Sequence, residues 1–467
     1  MLKSSNNIFI VGIKGVAMAN LAVIFKKMGK NVYGSDTKDD QITDELLMKN
    51  NIAWSIGFNI KDIPESIDTL IYSAAHGGTD NPQVIESKNR KVKTISQAKV
   101  LAYLIKQFKY SIAVAGCHGK TTTASFLSYA LLKLNVNPSY IVGAPCFTDY
   151  DGGNYSKSKY FVVEADEYGI NPPHDNTSKL LLFNPKYIVC TNIDFDHPDI
   201  FKDIKAVKDT FLSFFKGKEL VLCADDKNIR SLLSKLNKHK YITYGYSNKA
   251  DYMIVNFKAN TNGSAFTLKF NRQLLNFKIS LFGKKNALNT VAVIVLLLKL
   301  GFKYEDIKNP IRNFKGVRRR FELIYSDNTT FLFDDYAHHP EEIKATIEAV
   351  RQRFKNKRLI IIFQSHTYSR TKALLHEFGK SLSLADKTYV LPIFSSAREK
   401  SEEFNISEKD IAKASDKGNI LSFPTFNKLI EELPKIIKKG DVIITMGAGD
   451  VYKLKDDIIR AIKQIKQ

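Results

Sequence analysis

The sequence predicts an α/β protein of three domains built on mostly parallel sheets. Three observations predict it. A chain of 467 residues is too long for one ordinary core. Two stretches of it open with a strand, a glycine turn and a helical pattern. A third stretch sets short apolar runs between helical patterns.

The first block, residues 1–108, opens with the buried-strand pattern Ile8-Phe9-Ile10-Val11, a glycine turn, and the helical pattern Met18–Met28. Asn31–Asp36 follows as a second strand. Strand, turn, helix, strand is a right-handed βαβ unit, so a Rossmann-like domain is expected. The second block, 109–313, opens with the strand Ser111–Ala115 and a long helix. Leu127, Leu131 and Leu134 are spaced there at i, i+4 and i+7, an apolar stripe. The block closes with a helix from Asn286 to Leu300, stopped by Gly301. In the third block, 314–467, Leu359–Phe363 and Asp441–Met446 read as buried strands, again a Rossmann-like arrangement. The segment Asn313–Val317 is the candidate hinge between the last two blocks.

Composition limits the function classes. The chain is 44% hydrophobic and 25% charged, which suits a globular protein and not a disordered one. The apolar run Val291–Leu298 is too short to span a membrane and is closed by Lys299 and Gly301. The N-terminus runs straight into a strand, so no signal peptide is expected. Cys117, Cys146, Cys190 and Cys223 are scattered and give neither a disulfide framework nor a zinc pattern, which fits a reducing cytoplasm. The net charge of +22 could mark a nucleic-acid protein. The basic residues are spread along a Lys-, Asn- and Ile-rich chain, however, and no RRM, zinc-finger or KH pattern appears. No nucleic-acid partner is therefore expected, whereas acidic phosphorylated substrates would be attracted.

The strongest motif is Ala115-Gly116-Cys117-His118-Gly119-Lys120-Thr121-Thr122-Thr123, placed between a strand and a helix. Gly116 and Gly119 let backbone N–H groups converge, and the helix N-terminus adds partial positive charge. Lys120 can neutralise phosphates and the Thr121 hydroxyl can ligate magnesium. Val114 stands where the standard phosphate-loop spacing wants its first glycine. A turn that merely caps a helix would explain the glycines but not Gly-Lys-Thr-Thr-Thr in this context.

Two acidic strand ends follow. Tyr160–Val163 runs into Glu164, Asp166 and Glu167, carboxylates that repel one another unless a cation sits among them. An exposed acidic turn explains that segment alone equally well. Tyr187–Cys190 leads to Asp194, Asp196, His197 and Asp199. Together with Thr121 and Glu164, His197 makes a plausible two-magnesium cluster for a triphosphate. Asn286 and Asn289 share a helix face and could read an adenine edge, with ordinary N-capping a serious competitor. Arg318-Arg319-Arg320 could reach phosphate or be a solvated linker. In Asp334-Asp335-Tyr336-Ala337-His338-His339-Pro340, Tyr336 could stack on a nucleotide, whereas adjacent histidines on an extended chain point apart.

The order of these motifs resembles the Mur ligases of peptidoglycan synthesis, over essentially the whole chain. Gly12-Ile13-x-Gly15, Asn192–Asp199, Phe363–Arg370 and Met446–Asp450 add to the likeness. The resemblance implies a phosphate-loop central ATPase domain between two Rossmann-like domains. It implies ATP and Mg2+, with Gly116, His118, Gly119, Lys120, Thr121 and Thr122 on the phosphates and Thr121, Glu164 and His197 on the metal. Asn286 and Asn289 would face the adenine region and the metal site, and Arg320, Asp335 and Tyr336 would close over the nucleotide. Gly12, Gly15 and Met18 would hold the diphosphate of a UDP-sugar, with Asp36, Ser73 and Asn81 nearby. His366 and Arg370 would sit near the sugar carboxylate or the incoming amino acid. The reaction implied is ATP-dependent joining of L-alanine to the carboxylate of UDP-N-acetylmuramate through an acyl phosphate, by a monomer or homodimer. Attachment of a tripeptide to the same UDP-sugar is the alternative within the family. A nucleic-acid-stimulated ATPase is the alternative outside it. An inactive UDP-sugar-binding protein is disfavoured by the intact Lys120-Thr121, Glu164 and His197. The chain departs from the family's usual residues at Lys14, Ala17, Lys285 and Gln364, and in Tyr168–Pro173.

Overall fold

The computed structural model describes residues 4–260, 263–395, 399 and 404–465. The described residues form two compact units: 1–257 with 265–280 and 286–315, and 258–264 with 281–285 and 316–467. No helix among them is long and apolar enough to cross a membrane.

The first sheet contains β1 (Asn7–Val11), β2 (Asn31–Asp36), β3 (Ala53–Ile56), β4 (Thr69–Tyr72) and β5 (Lys93–Ser96), in the order β3-β2-β1-β4-β5. All its pairs are parallel, with Ile10 opposite Gly34. The expected βαβ unit is therefore present, its helix running Val16–Lys27.

The second sheet is built on β6 (Tyr110–Ala115), β7 (Ser139–Phe147), β8 (Tyr150–Asn154) and β9 (Tyr160–Glu164). A small antiparallel hairpin, β10 (Gly169–Asn171) and β11 (Asp175–Ser178), stands apart from it. The sheet continues through β12 (Tyr187–Cys190), β13 (Glu219–Cys223), β14 (Tyr241–Gly245), β15 (Tyr252–Asn260), β16 (Gly263–Phe270) and β17 (Gln273–Ile279). Its order is β17-β16-β15-β14-β13-β12-β6-β9-β7-β8. The strands from β14 to β7 run parallel, and β8 turns back on β7. The helix Lys120–Lys133 differs from the amphipathic stripe expected of it. Every residue from Thr121 to Leu131 is buried, and Leu134 lies just past its end. The helix is covered by β7 and β9 on one side and by the helix Tyr304–Asn313 on another, so a one-sided pattern is not needed.

The third sheet comprises β18 (Glu322–Ser326), β19 (Phe331–Asp335), β20 (Leu359–His366), β21 (Lys387–Phe394), β22 (Ile420–Ser422) and β23 (Val442–Met446), in the order β18-β19-β23-β20-β21-β22. Only the β18–β19 pair is antiparallel. Successive strand residues feed opposite cores. Leu359, Ile361 and Phe363 join one cluster with Phe333, Ile444 and Phe378. Ile360 and Ile362 join another with Leu332, Ile443 and Leu429. Each such side chain contributes about 1.5–3 kcal/mol on burial, so the unbroken apolar runs are what cover this sheet with helices on both faces.

Within the first unit, Asn20 locks the helix Val16–Lys27 to the edge of the second sheet. Its amide donates to the carbonyls of Val142 (2.8 Å) and Ala144 (2.9 Å). The approach is possible because β8 carries Gly152 and Gly153. A Cβ on Gly153 would lie 2.2 Å from the Asn20 carbonyl oxygen. Gly153→Ala should therefore lower stability by about 1–3 kcal/mol, read as an earlier unfolding transition on heating; an unchanged midpoint would refute this packing.

Candidate active site

The carboxyl ends of parallel strands form the ligand crevice of such sheets, and the phosphate loop lies there. β6 stops at Ala115, and Gly116 takes φ +125° with Thr191 and Asn192 packed on it. A Cβ at Gly116 would sit 2.4 Å from the Thr191 hydroxyl. Gly119 takes φ +79°, and a Cβ there would sit 2.7 Å from Asn289 Oδ1. Both glycines are required by conformation and by close approach. Thr191 and Asn192, just after β12, brace the loop. Asn192 accepts from the His118 N–H (3.0 Å) and donates to the His118 carbonyl (2.8 Å), which also accepts from the Thr191 hydroxyl (2.5 Å). The Cys117 thiol meets the Asp194 backbone at 3.1 Å. Burial pushes this thiol well above its ordinary range, so it stays protonated.

Lys120 is the first residue of the helix, and its ammonium lies 2.9 Å from Glu167 Oε2, 3.4 Å from the Cys117 carbonyl and 3.9 Å from Asp166. Burial opposes its charge, but Glu167 and Asp166 outweigh burial and hold the amine charged beyond its usual range. Asp166 also takes Lys179 at 3.2 Å. Burial favours its neutral form, but Lys179, Lys120 and His197 outweigh that and hold it ionised. His197, at φ +60°, presents a ring nitrogen within 4.8 Å of ligand oxygens of Asp166 and Glu167. The ring lies edge-on to Tyr168, whose hydroxyl donates to Asp199 at 2.8 Å.

Glu164, at the end of β9, forms a neighbouring arrangement. It accepts from the Thr121 hydroxyl (3.1 Å) and from the Gly143 N–H (2.7 Å). Thr121 and Glu164 are thus in direct contact, while His197 is grouped with Asp166 and Glu167. The donor set suits a hard divalent cation. Glu167 Oε1 is buried without a hydrogen-bond partner, the condition a cation would relieve. Asn286 and Asn289 lie inside the helix Lys284–Lys299, past its cap position, and Asn289 packs on the phosphate loop at Gly119.

In the first sheet, Gly12, Asp36 and Ser73 gather at the ends of β1, β2 and β4. Gly12 takes φ +73°, with His76 and Ser73 beside it. Asp36 is buried, accepts from the Lys14 N–H at 2.7 Å, and lies 3.7 Å from His76. The Lys14 side chain turns to the Thr37 and Asp39 carbonyls and to Asp44. Gly15 caps the following helix, Met18 is buried within it, and Asn81 caps the helix Pro82–Asn89 while donating to the His76 carbonyl.

The second unit aligns the remaining candidates. Arg320 lies over the Tyr336 ring at 4.8 Å, and Tyr336 meets the His338 ring at 5.3 Å. The His338 ring is 6.2 Å from that of His366, which lies 3.5 Å from Arg370. His339 turns away and caps the helix Pro340–Arg353, as adjacent residues on an extended chain should. Arg319 was not distinguishable from its neighbours in sequence. It is buried, bonded to Asp334 (3.0 Å) and the Gly447 carbonyl (2.7 Å), and lies over the Tyr452 ring at 4.3 Å. Sequence reasoning also missed Gly143, Lys179, Thr191 and His76. Positive φ at Gly116 and Gly119 had a signal in the motif; these partners had none.

A phosphate loop whose lysine faces an acidic strand end and a histidine, on parallel α/β sheets, defines the class of P-loop enzymes that handle phosphoryl groups. Family models narrow the class. The Mur ligase family catalytic domain matches residues 7–109, the Mur ligase middle domain 114–297, and the Mur ligase glutamate ligase domain 319–449. The chain belongs to the Mur ligase family of ATP-dependent, amide-forming ligases, as its motif order suggested. It is 37% identical to the UDP-N-acetylmuramate–L-alanine ligase of Acetivibrio thermocellus, covering 97% of this chain and 96% of that one. It is 32% identical to the enzyme of the same name from Desulforapulum autotrophicum, covering 99% and 100%. The fold matches the crystal structure of UDP-N-acetylmuramate-alanine ligase from Thermotoga maritima with a TM-score of 0.80 at 23% identity, over 98% and 99% of the two chains. It matches a murein peptide ligase from Psychrobacter arcticus with a TM-score of 0.73 at 22% identity, over 98% of each.

Asp335 yields a pH prediction. Burial pushes its carboxyl up to about 6, against the opposing charge of Arg320 and bonds from Ala337 and Thr346. The folded state therefore holds this proton more tightly than the unfolded one. Stability is lost as pH rises from about 4 through 6, by up to about 3 kcal/mol. Asp335→Asn should be the more stable protein at pH 8 and should match the wild type at pH 4 in denaturant titrations. Parallel pH profiles for the two proteins would contradict the assignment.

Proposed function

We propose that this chain uses ATP to join L-alanine to the carboxylate of UDP-N-acetylmuramate, through an acyl phosphate, in the making of peptidoglycan precursors. The observation that carries the chemistry is Lys120 meeting Asp166 and Glu167 beside the phosphate loop, with a His197 ring nitrogen grouped with those carboxylates. The choice of substrates is supported by relatives of that name, alike over nearly the whole chain. A cytoplasmic location is part of this reading, because ATP and a nucleotide-activated sugar are its substrates. The domains are taken to divide at 108 and 313.

In this reading backbone N–H groups between Gly116 and Thr122, other than the His118 N–H bonded to Asn192, cradle the phosphates at the helix N-terminus. Lys120 exchanges part of its contact with Glu167 for the β- and γ-phosphates. Asp166, Glu167 and His197, with Thr121 and Glu164, would hold Mg2+, which supplies charge stabilisation for the transferring phosphoryl group. A carboxylate oxygen of the sugar displaces ADP from the γ-phosphorus. The amine of L-alanine then attacks the acyl carbon, and phosphate leaves with the C–O electron pair. Asn289 fixes the loop at Gly119. Gly12, Gly15, Asp36, Ser73 and His76 take the UDP-sugar. Arg370, steadied by His366, suits a carboxylate fork; Arg320 and Tyr336 suit a nucleotide.

Lys120→Ala should abolish ADP formation while UDP-sugar binding measured by calorimetry persists. Normal turnover in that variant would remove the phosphate loop from the mechanism. Phosphate release with UDP-N-acetylmuramate should rise with L-alanine above other single amino acids. A preference for L-Ala-γ-D-Glu-meso-diaminopimelate would instead assign the tripeptide-joining reaction.

A further inference from the structure

The phosphate loop uses only the carboxyl ends of the second sheet, and the amino ends carry a separate feature. Four neighbouring parallel strands, β14, β13, β12 and β6, are each preceded directly by a lysine: Lys240, Lys218, Lys186 and Lys109. Adjacent strands lie ~4.8 Å apart, so these lysines form a row across the sheet edge. They line a depression of about 410 Å³ together with Lys106, a size suited to a small molecule. Lys109 and Lys186 hold their ammonium groups 5.4 and 5.3 Å from the Tyr110 ring centre. Lys218 bonds the Asn184 side chain, and burial lowers its amine below the ordinary range.

Among the described residues, Glu219 is the one carboxylate lining this depression, and it is already bridged by Lys240 at 2.6 Å and Lys299 at 3.0 Å. Five ammonium groups around one small concavity repel one another, and a multivalent anion would relieve that repulsion. The tyrosines at these strand starts are not open stacking platforms. Tyr110 is stacked on Tyr160 at 4.6 Å and on Tyr187 at 6.5 Å, with lysines over the rings. That arrangement favours an oxyanion over a base-stacking nucleic acid.

We propose that the lysine-lined depression at the amino ends of β6, β12, β13 and β14 is a second anion site, taking a small polyphosphate or the phosphate tail of a nucleotide. It is one strand length, roughly 20 Å along the six residues of β6, from the phosphate loop. The reading goes beyond the ligase reaction and does not depend on it.

The test uses inorganic tripolyphosphate and calorimetry on the full chain carrying Lys120→Ala, which silences the phosphate loop. One tripolyphosphate should bind per chain. Adding Lys109→Gln and Lys186→Gln should weaken it at least about tenfold, the loss of about 1.4 kcal/mol of charge attraction. No binding to Lys120→Ala, or binding indifferent to the two glutamines, overturns the proposal. In the otherwise wild-type chain the same two glutamines should leave ADP formation within about twofold, showing an intact fold. If that activity falls, single Lys218→Gln and Lys240→Gln variants take their place under the same criteria. ATP matching tripolyphosphate assigns recognition to the phosphates; ATP binding alone, without tripolyphosphate, refutes an oxyanion site. A short single-stranded RNA that binds more tightly than tripolyphosphate through the same lysines would make this a nucleic-acid surface and also refute it.

Discussion

An ammonium held largely out of water beside a buried carboxylate is the constraint on which the candidate crevice rests. Lys120 and Glu167 are both largely out of water. Taking either ion alone into that environment costs several kcal/mol, so loss of one disfavours the charged form of the other. The strands enforce the meeting. β9 pairs with β6 in parallel, Val114 opposite Glu164, which sets the acidic turn after β9 against the loop after β6. The Ala165 N–H bonded to the Val114 carbonyl fixes that turn's first step. Lys120 is thus neutralised by its own acids, and any anion entering the site would compete with Glu167 for it. A cation among Asp166, Glu167 and His197 acts in the opposite sense, by satisfying the carboxylates that otherwise hold the lysine. Phosphate and cation binding would therefore be coupled through one side chain.

Neighbouring arginines of the second unit divide structural and functional duty. Arg319, at φ +60°, spends its guanidinium on Asp334 and the Gly447 carbonyl, joining the end of β19 to the loop after β23. Its carbonyl accepts the Tyr336 N–H at 2.7 Å, which fixes the segment bearing Asp335 and Tyr336. Arg320 is left to the Tyr336 ring and to Glu342 at 3.9 Å. One arginine is consumed in making the loop that the next one serves. A Lys in place of Arg319 would lose the planar fork that reaches two partners at once.

Much of the fold was legible because its signals are local. The runs Ile8–Val11, Ser111–Ala115 and Leu359–Phe363 are apolar on both faces, which only strands covered on both sides can bury. Gly116 and Gly119 stand out because a loop turning its N–H groups to one point needs left-handed backbone. The pairing of Lys120 with Glu167 was not legible: the acids were visible as a group, but their partner lies 47 residues away in sequence. Asn20 gave no hint of its hold on Val142 and Ala144, 122 and 124 residues on. The helix Lys120–Lys133 misled in a different way. Burial on nearly all sides erases the periodicity by which a helix face is read.

The charge excess looks diffuse along the chain, yet the second sheet sorts it by strand polarity. At the carboxyl ends, acids outnumber bases around a lone phosphate-loop lysine, an arrangement that accepts a metal with its phosphates. At the amino ends, lysines precede the strands with one carboxylate among them, an arrangement that accepts an anion by itself. Parallel strands make this separation possible, since every carboxyl end lies on one edge and every amino end on the other. Interaction between exposed charges decays over about 8–10 Å at ordinary salt, less than the length of β6. The lysines at one edge therefore leave the potential at the other almost unchanged, and a strongly basic chain can keep an acidic crevice without conflict between the two.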